Sequence, residues 1–254
     1  MQMNIMNSPN QNVGRGGRRP DMIVLHNTGG TTQSAINTIM NPANQVSYHF
    51  IISPNGAITR FVHPDNTAWH AGTNNNGGSQ DNSTSRIPEI RQRRINANLF
   101  TIGIAFGDIM TTRGNITNEA MLACVALIQN LKTQYQITHV IGHIDVVPRH
   151  RPDCPGTQFP WTRLNELLRE DPRVIEELRR DMVNLQQRVE TLEKFKAENT
   201  KRINTMNEVP EWAVPTIKKL IDRGALQGDG AGFNLSLEMI RLLVINDRIG
   251  LLGD

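Results

Sequence analysis

Seven histidines are spread along the chain, at 26, 49, 63, 70, 139, 143 and 150. Two of them close apolar runs that read as strands. His26 ends MIVLH and is followed by Asn-Thr-Gly-Gly, and His143 ends THVIGH and is followed by IDVVP. Residues at strand ends reach the rim of a sheet, where sites are commonly built. Cys154 lies eleven residues beyond His143, in PDCPG. Two strand-end imidazoles and a loop thiol make a three-ligand set for zinc. Three protein ligands leave a fourth position open to water, which is the catalytic rather than the structural arrangement. The other reading is that each is a separately satisfied polar side chain. The long gap from 26 to 143 leaves both readings open on spacing alone.

For these residues to meet, the elements that carry them must be neighbours. Strand-like runs are MIVLH at 22–26, YHFII at 48–52, AITRFV at 57–62, FTIGIAF at 100–106 and THVIGH at 138–143. Helical spacing occurs at 31–40, at 118–135 with Asn118 as candidate N-cap, and at 162–170. SPNGAI, with Asn55-Gly56 between two strand runs, predicts a hairpin. Residues 72–98 are rich in Gly, Asn and Ser and predict a long surface loop. Its Arg91, Arg93 and Arg94 either contact anions or are solvated. Strands mixed with helices predict an α/β domain with a central mixed β-sheet flanked by helices.

The 254 residues suggest one to two domains and a core that needs no disulfide staples. Apolar residues make up 38%, low for one compact globule, so part of the chain is expected to be exposed helix or linker. Lys plus Arg is 27 against 24 Asp plus Glu, a formal charge of +3, and the pI is near 9.1. Without a clustered patch that balance does not imply nucleic acid, and it suits a polyanionic surface. No apolar run is long enough for a membrane span. The first twenty residues lack the apolar stretch of a secretory signal, which predicts either residence in the cytoplasm of synthesis or exit by a route the sequence does not encode. Of the two cysteines, Cys124 in MLACVALIQNL is expected to be a buried core residue.

Beyond residue 170 the pattern changes. From 173 to 206 there is no glycine, and apolar residues step by three and four. One register holds Ile175, Met182, Val189, Lys196 and Ile203; the other holds Leu178, Leu185, Leu192, Asn199 and Met206. Nearly five heptads with one polar layer predict a coiled coil and hence a homo-oligomer through 175–206, against a helix packed on its own domain. In 207–254, Trp212, Ile217 and Leu220 fit one helix, glycines at 224, 228, 230 and 232 mark a loop, and LSLEMIRLLVINDRIGLL fits a second helix capped by Ser236. The expected organisation is a catalytic domain at 1–170, a coiled-coil linker at 171–206 and a small helical module at 207–254.

The blocks LHNTGG, VSYHFIISPNGAITRFV, AWHAG, NLFTIGIAF, GHIDVVP and DCPG occur in this order over about residues 20–168. In that order the chain resembles the zinc-dependent N-acetylmuramoyl-L-alanine amidases of the amidase_2 family, which share the peptidoglycan recognition protein fold. The resemblance implies zinc as cofactor, with His26, His143 and Cys154 on the ligand positions. It implies peptidoglycan as substrate and hydrolysis of the amide between N-acetylmuramic acid and L-alanine. Tyr48, in VSYHF, falls on the position of an oxyanion-stabilising tyrosine, while Ala105 stands where another branch has a glutamate. His70, in AWHAG, falls on a residue lining the substrate groove. Asp145 and Asn27 are expected to brace the site, Trp69 to pack, and His49 to pack beneath the site. Pro152 departs from the Lys or Thr usual two residues before the third ligand, which leaves Arg151 or His150 to fill that space. The tail from Val209 resembles S-layer-homology-like modules of wall hydrolases, against a role as a dimerisation cap. Together these imply a phage or prophage endolysin that waits in the host cytoplasm. The alternatives are a non-catalytic peptidoglycan-binding recognition module and a coil-driven scaffold.

Overall fold

The most apolar runs of the sequence form the middle of one sheet. The computed structural model describes residues 3–72, 82–108, 116–228 and 230–253, with Asn199 described by its backbone. In chain order the strands of the first part are β1 (Asn4–Ile5), β2 (Gln11–Asn12), β3 (Met22–Asn27), β4 (Phe50–Ile52), β5 (Ile58–Arg60), β6 (Thr67–Ala68), β7 (Thr101–Phe106) and β8 (His139–Gly142). The helices are α1 (Thr32–Met40), α2 (Pro88–Arg93), α3 (Asn118–Gln134), α4 (His143–Val146), α5 (Trp161–Leu167) and α6 (Pro172–Thr200). Six strands pair in the order β1-β5-β4-β7-β3-β8. β3 is parallel to both β7 and β8, and β4 is parallel to β7 but antiparallel to β5. The sheet is therefore mixed, as expected.

Period-two alternation divides the strand residues between the two faces. Ile23 and Leu25 of β3, with Ile102, Ile104 and Phe106 of β7, share one core with the apolar side of α3, Cys124 included. Met22 and Val24 face the other side, where Phe100, Ile90 and Val146 cover them. Strands buried on both faces need uninterrupted apolar sequence, which is why MIVL and TIGIAF carry so little polar character. Thr117, not Asn118, caps α3: its side chain accepts from the Ala120 N–H, a contact worth about 1 kcal/mol. Asn55-Gly56 turns the β4–β5 hairpin, with Ser53 N–H donating to the Ala57 carbonyl at 2.9 Å. The segment expected to be one long loop contains α2, whose Ile90 is buried in the core; residues 73–81 of it lie outside the described residues.

The chain divides into two compact units, Met1–Met182 and Val183–Asp254. The division falls inside α6, not at residues 170 and 206. The reason is visible in the first turns of that helix: Ile175 is fully buried in the core shared with α3, and Met182 packs at its margin. Ile175 therefore belongs to the first unit's core, not to a coil seam. The far end of the expected coil also differs. α6 stops at Thr200, and Arg202–Ile203 (β9) pairs with Leu235–Ser236 (β10). Ile203 is buried with Val209, Ala213, Ile217, Leu235, Ile240 and Val244, and Met206 packs against that cluster. The second unit completes itself with α7 (Val214–Asp222) and α8 (Leu237–Arg248), the latter capped by Ser236 as expected. Asp247 ties the two helices, accepting from Thr216 Oγ1 at 2.7 Å and Lys219 Nζ at 2.9 Å. Trp212, expected on one helix with Ile217 and Leu220, lies instead in the 3-10 turn before α7 and is 45% exposed. No described helix is long and apolar enough to cross a membrane.

Candidate metal centre

Parallel pairing brings the two strand-end histidines together. β3 and β8 are in register with Leu25 opposite Gly142, so the next residue on each strand places His26 beside His143. Both lie at the carboxyl edge of the sheet, where open α/β sheets bind ligands. His143 opens α4, whose start is held by Asp145: its Oδ2 accepts from the Gly142 N–H at 2.9 Å. Asp145 thus braces the helix that carries His143. Its backbone carbonyl also anchors the neighbouring segment, accepting from Ser85 Oγ at 2.7 Å and Arg86 N at 2.8 Å.

The loop with Cys154 is pinned onto this edge by two bonds. Ile144 N–H donates to the Cys154 carbonyl at 2.9 Å, and Asn27 Nδ2 donates to the Pro155 carbonyl at 3.0 Å. Gly142 permits the approach, since a Cβ there would meet Pro155 Cδ at 2.8 Å. The result is convergence. His26 Nδ1 lies 3.1 Å from His143 Nδ1 and 3.8 Å from Cys154 Sγ. One ligand atom from each residue lies within 4.8 Å of the others. Two imidazole nitrogens and a sulfur at this spacing suit zinc, whose usual ligands are these. Electrostatics agrees. Burial holds His26 well below its ordinary pKa, helped by His143, His70 and Arg151. Burial and then the Arg151 charge push His143 down to about 3. Both rings are neutral and hold a lone pair. Burial pushes the Cys154 thiol up to about 11, against the opposing effects of Asn27 and Arg151. A cation at this position would supply what the thiolate needs.

Tyr48 stands beside the centre, its ring 5.1 Å from that of His26. Burial raises its pKa, so its hydroxyl keeps its proton. His70, expected to line the groove, is 4% exposed and stands behind His26, with its Nδ1 3.0 Å from His26 Nε2. His49 packs below it, with ring centroids 5.4 Å apart, and accepts from the Gly103 N–H at 2.9 Å. Sequence reasoning passed over Arg15, which is buried beneath the site with His49 2.8 Å from its Nη2; nothing in the stretch NVGRGGRRP sets it apart from Arg18 and Arg19. Two of the loop arginines are structural. Arg93 pairs with Asp21 and lies over the Phe100 ring at 4.4 Å, and Arg91 donates to the Ser85 carbonyl. Trp69 donates to Asn12 Oδ1 at 2.6 Å.

Comparison with known proteins defines the class. Residues 16–157 match the Amidase_2 family, described as N-acetylmuramoyl-L-alanine amidase. The match spans more than half of the chain, and the chain belongs to that family. Among individual relatives, the 1,6-anhydro-N-acetylmuramyl-L-alanine amidase AmpD of Haemophilus influenzae is 30% identical over 123 residues, 47% of this chain and 56% of that protein. The AmpD of Citrobacter freundii is 30% identical over 126 residues, 49% of this chain and 58% of that protein. The chain thus spans little more than half the length of these relatives. A crystal structure of a selenomethionine derivative of AmpD superposes with a TM-score of 0.51 at 24% identity, over 65% of this chain and 94% of that one. That likeness concerns the fold.

Proposed function

We propose that this chain is a zinc-dependent peptidoglycan amidase that hydrolyses the bond between N-acetylmuramic acid and L-alanine. The observation that carries the reading is the convergence of His26, His143 and Cys154 at the carboxyl edge of the sheet, inside the segment matched by the Amidase_2 family. Zinc bound there supplies a water of lowered pKa and polarises the amide carbonyl. His26, His143 and Cys154 hold it. Tyr48, kept protonated by burial, donates a hydrogen bond to the oxygen on which negative charge develops. Arg151 brings positive charge into the site, acting on His26, Tyr48, His143 and Cys154 alike, and takes the role that Pro152 cannot.

The test is digestion of purified walls. Free L-alanine amino termini are expected without new reducing sugars. Tyr48→Phe is expected to lower turnover about tenfold to a thousandfold, the worth of one oxyanion donor, while zinc content stays at the wild-type level. New reducing ends would mean a glycosidase, binding without cleavage would mean a recognition module, and unchanged turnover in Tyr48→Phe would remove that residue from the mechanism.

The finer reading is a phage or prophage lysin that acts on the intact wall. What supports it is the chain beyond the amidase region: a long helix and a small module, on a protein of basic pI. The module from Val209 onward is proposed as the wall-attachment part. Self-association is proposed through α6, where Leu178, Leu185, Val189 and Leu192 are exposed at heptad spacing. The seam is shorter than 175–206, since Ile175 and Ile203 lie in the two cores. Leu185→Glu with Leu192→Glu is expected to give a monomer by light scattering. That variant is expected to cleave soluble muropeptide normally and bind walls less well through lost avidity. A monomeric wild type at micromolar concentration would refute the coil.

A further inference from the structure

We propose that His70 is a positioning residue that fixes the tautomer of His26, so that His26 always presents its Nδ1 lone pair to the metal position. The inference rests on the metal-centre reading above and concerns residues outside the ligand set.

The direction of each bond follows from one fixed point. The Ala97 carbonyl only accepts, and Thr101 Oγ1 donates to it at 2.7 Å. The hydroxyl hydrogen is committed there. His70 Nε2, 3.3 Å from the same oxygen, must therefore carry a proton and donate to it. A neutral imidazole has one N–H, so His70 Nδ1 holds a lone pair. That atom lies 3.0 Å from His26 Nε2, which must be the donor. His26 then bears its proton on Nε2 and its lone pair on Nδ1, the atom facing His143 and Cys154. The chain from Ala97 through Thr101 and His70 to His26 is buried throughout, so bulk water does not substitute for a missing member.

Shape holds the same arrangement. Met22 pairs with Thr101, Val24 with Gly103 and His26 with Ala105, so Thr101 and Gly103 lie on the face of the sheet that bears His26. A Cβ on Gly103 would lie 2.5 Å from His70 Cγ and 2.7 Å from its Nδ1. Glycine at this strand position leaves the space that the His70 ring fills. The segment is fixed from behind, where His70 N–H and Ala71 N–H donate to Asn98 Oδ1 at 3.1 and 2.7 Å. A group that orients a ligand histidine in this way commonly contributes about 10–100-fold in metal affinity.

The experiment is zinc competition against a chromophoric chelator with the full chain, together with nitrogen-15 NMR of the His26 ring in the metal-free protein. Wild type is expected to show the Nε2–H tautomer of His26. His70→Phe and the near-isosteric Thr101→Val are expected to weaken zinc about 10–100-fold, and Thr101→Ser to restore it. Should His70→Phe fail to fold, Thr101→Val decides. Folded variants with zinc affinity within roughly twofold of wild type, or a wild-type His26 protonated on Nδ1, would overturn the proposal. A wild type with no zinc affinity would remove the metal reading itself, whereas normal wild-type affinity with unchanged variants removes this inference alone.

Discussion

Cys154→Ser is expected to abolish stoichiometric zinc and to lower amide cleavage by on the order of 10³-fold, about 4 kcal/mol of transition-state stabilisation. Zinc takes thiolate as a ligand and a serine hydroxyl far less readily, because the hydroxyl does not give up its proton near neutral pH. Burial pushes the Cys154 thiol up to about 11 against the lowering by Asn27 and Arg151, so a bound cation would favour the thiolate. With serine in its place, His26 and His143 remain as two neutral ligands, too few for a centre that must keep one position open. The control is Cys124→Ala. Cys124 is fully buried in α3 and shares the core with Ile23 and Ile102. Its loss leaves a small cavity and costs about 1 kcal/mol of stability, with zinc content unchanged. Metal analysis of both variants, under conditions without chelator, checks the pair. Zinc retained in Cys154→Ser, or lost in Cys124→Ala, would refute the ligand assignment.

The metal-free first unit is expected to lose stability as the pH falls below about 6.5. Four histidines, His26, His49, His70 and His143, are buried. Burial is the largest cause of the depressed pKa in each: His70 and His143 fall to about 3, and His26 and His49 are held well below the ordinary value. In the unfolded chain each titrates near its model value of about 6.5. Below that pH the unfolded state binds more protons than the folded one, so stability is full above it and is lost as pH falls toward the folded values. One such group contributes at most about 1.4 kcal/mol per pH unit, and all four act in the same direction. Since a domain's stability is about 5–15 kcal/mol, the melting temperature is expected to fall steadily as the pH drops below about 6.5. Thermal melting of chelator-treated protein between pH 7.5 and 4.5 measures this, and a melting temperature independent of pH across that range would refute it.

Most of the strands and helices were legible in the sequence because each announces itself locally. MIVLH, FTIGIAF and the 118–135 helix carry their own periodicity, and Asn55-Gly56 carries its own turn. The ordered blocks that end in DCPG made the ligand set readable through family resemblance, and the structure brings those three residues together. Elements without a local signal escaped. β1, β2 and β6 are two residues each, and α2 sits in a segment whose composition looks like a loop. The heptad register continued through Ile203 because periodicity alone does not say which surface an apolar residue meets. Ile175 and Ile203 have the same spacing as Val189, yet both are buried in separate cores while Val189 is exposed.

The sequence by itself determined the class of fold, and through the ordered family blocks it pointed to three candidate ligands and to Tyr48, because these depend on residue type and order. Tertiary structure alone decided where His70 sits. Its position along the chain is compatible with a groove or a core. Only the pairing of β3 with β7 places Gly103 where the His70 ring must fit, with Thr101 at one nitrogen and His26 at the other. The physical reason is that a tautomer is set by the direction of hydrogen bonds between residues far apart in sequence. Periodicity and composition report which side chains turn inward, but not which atom of one faces which atom of another.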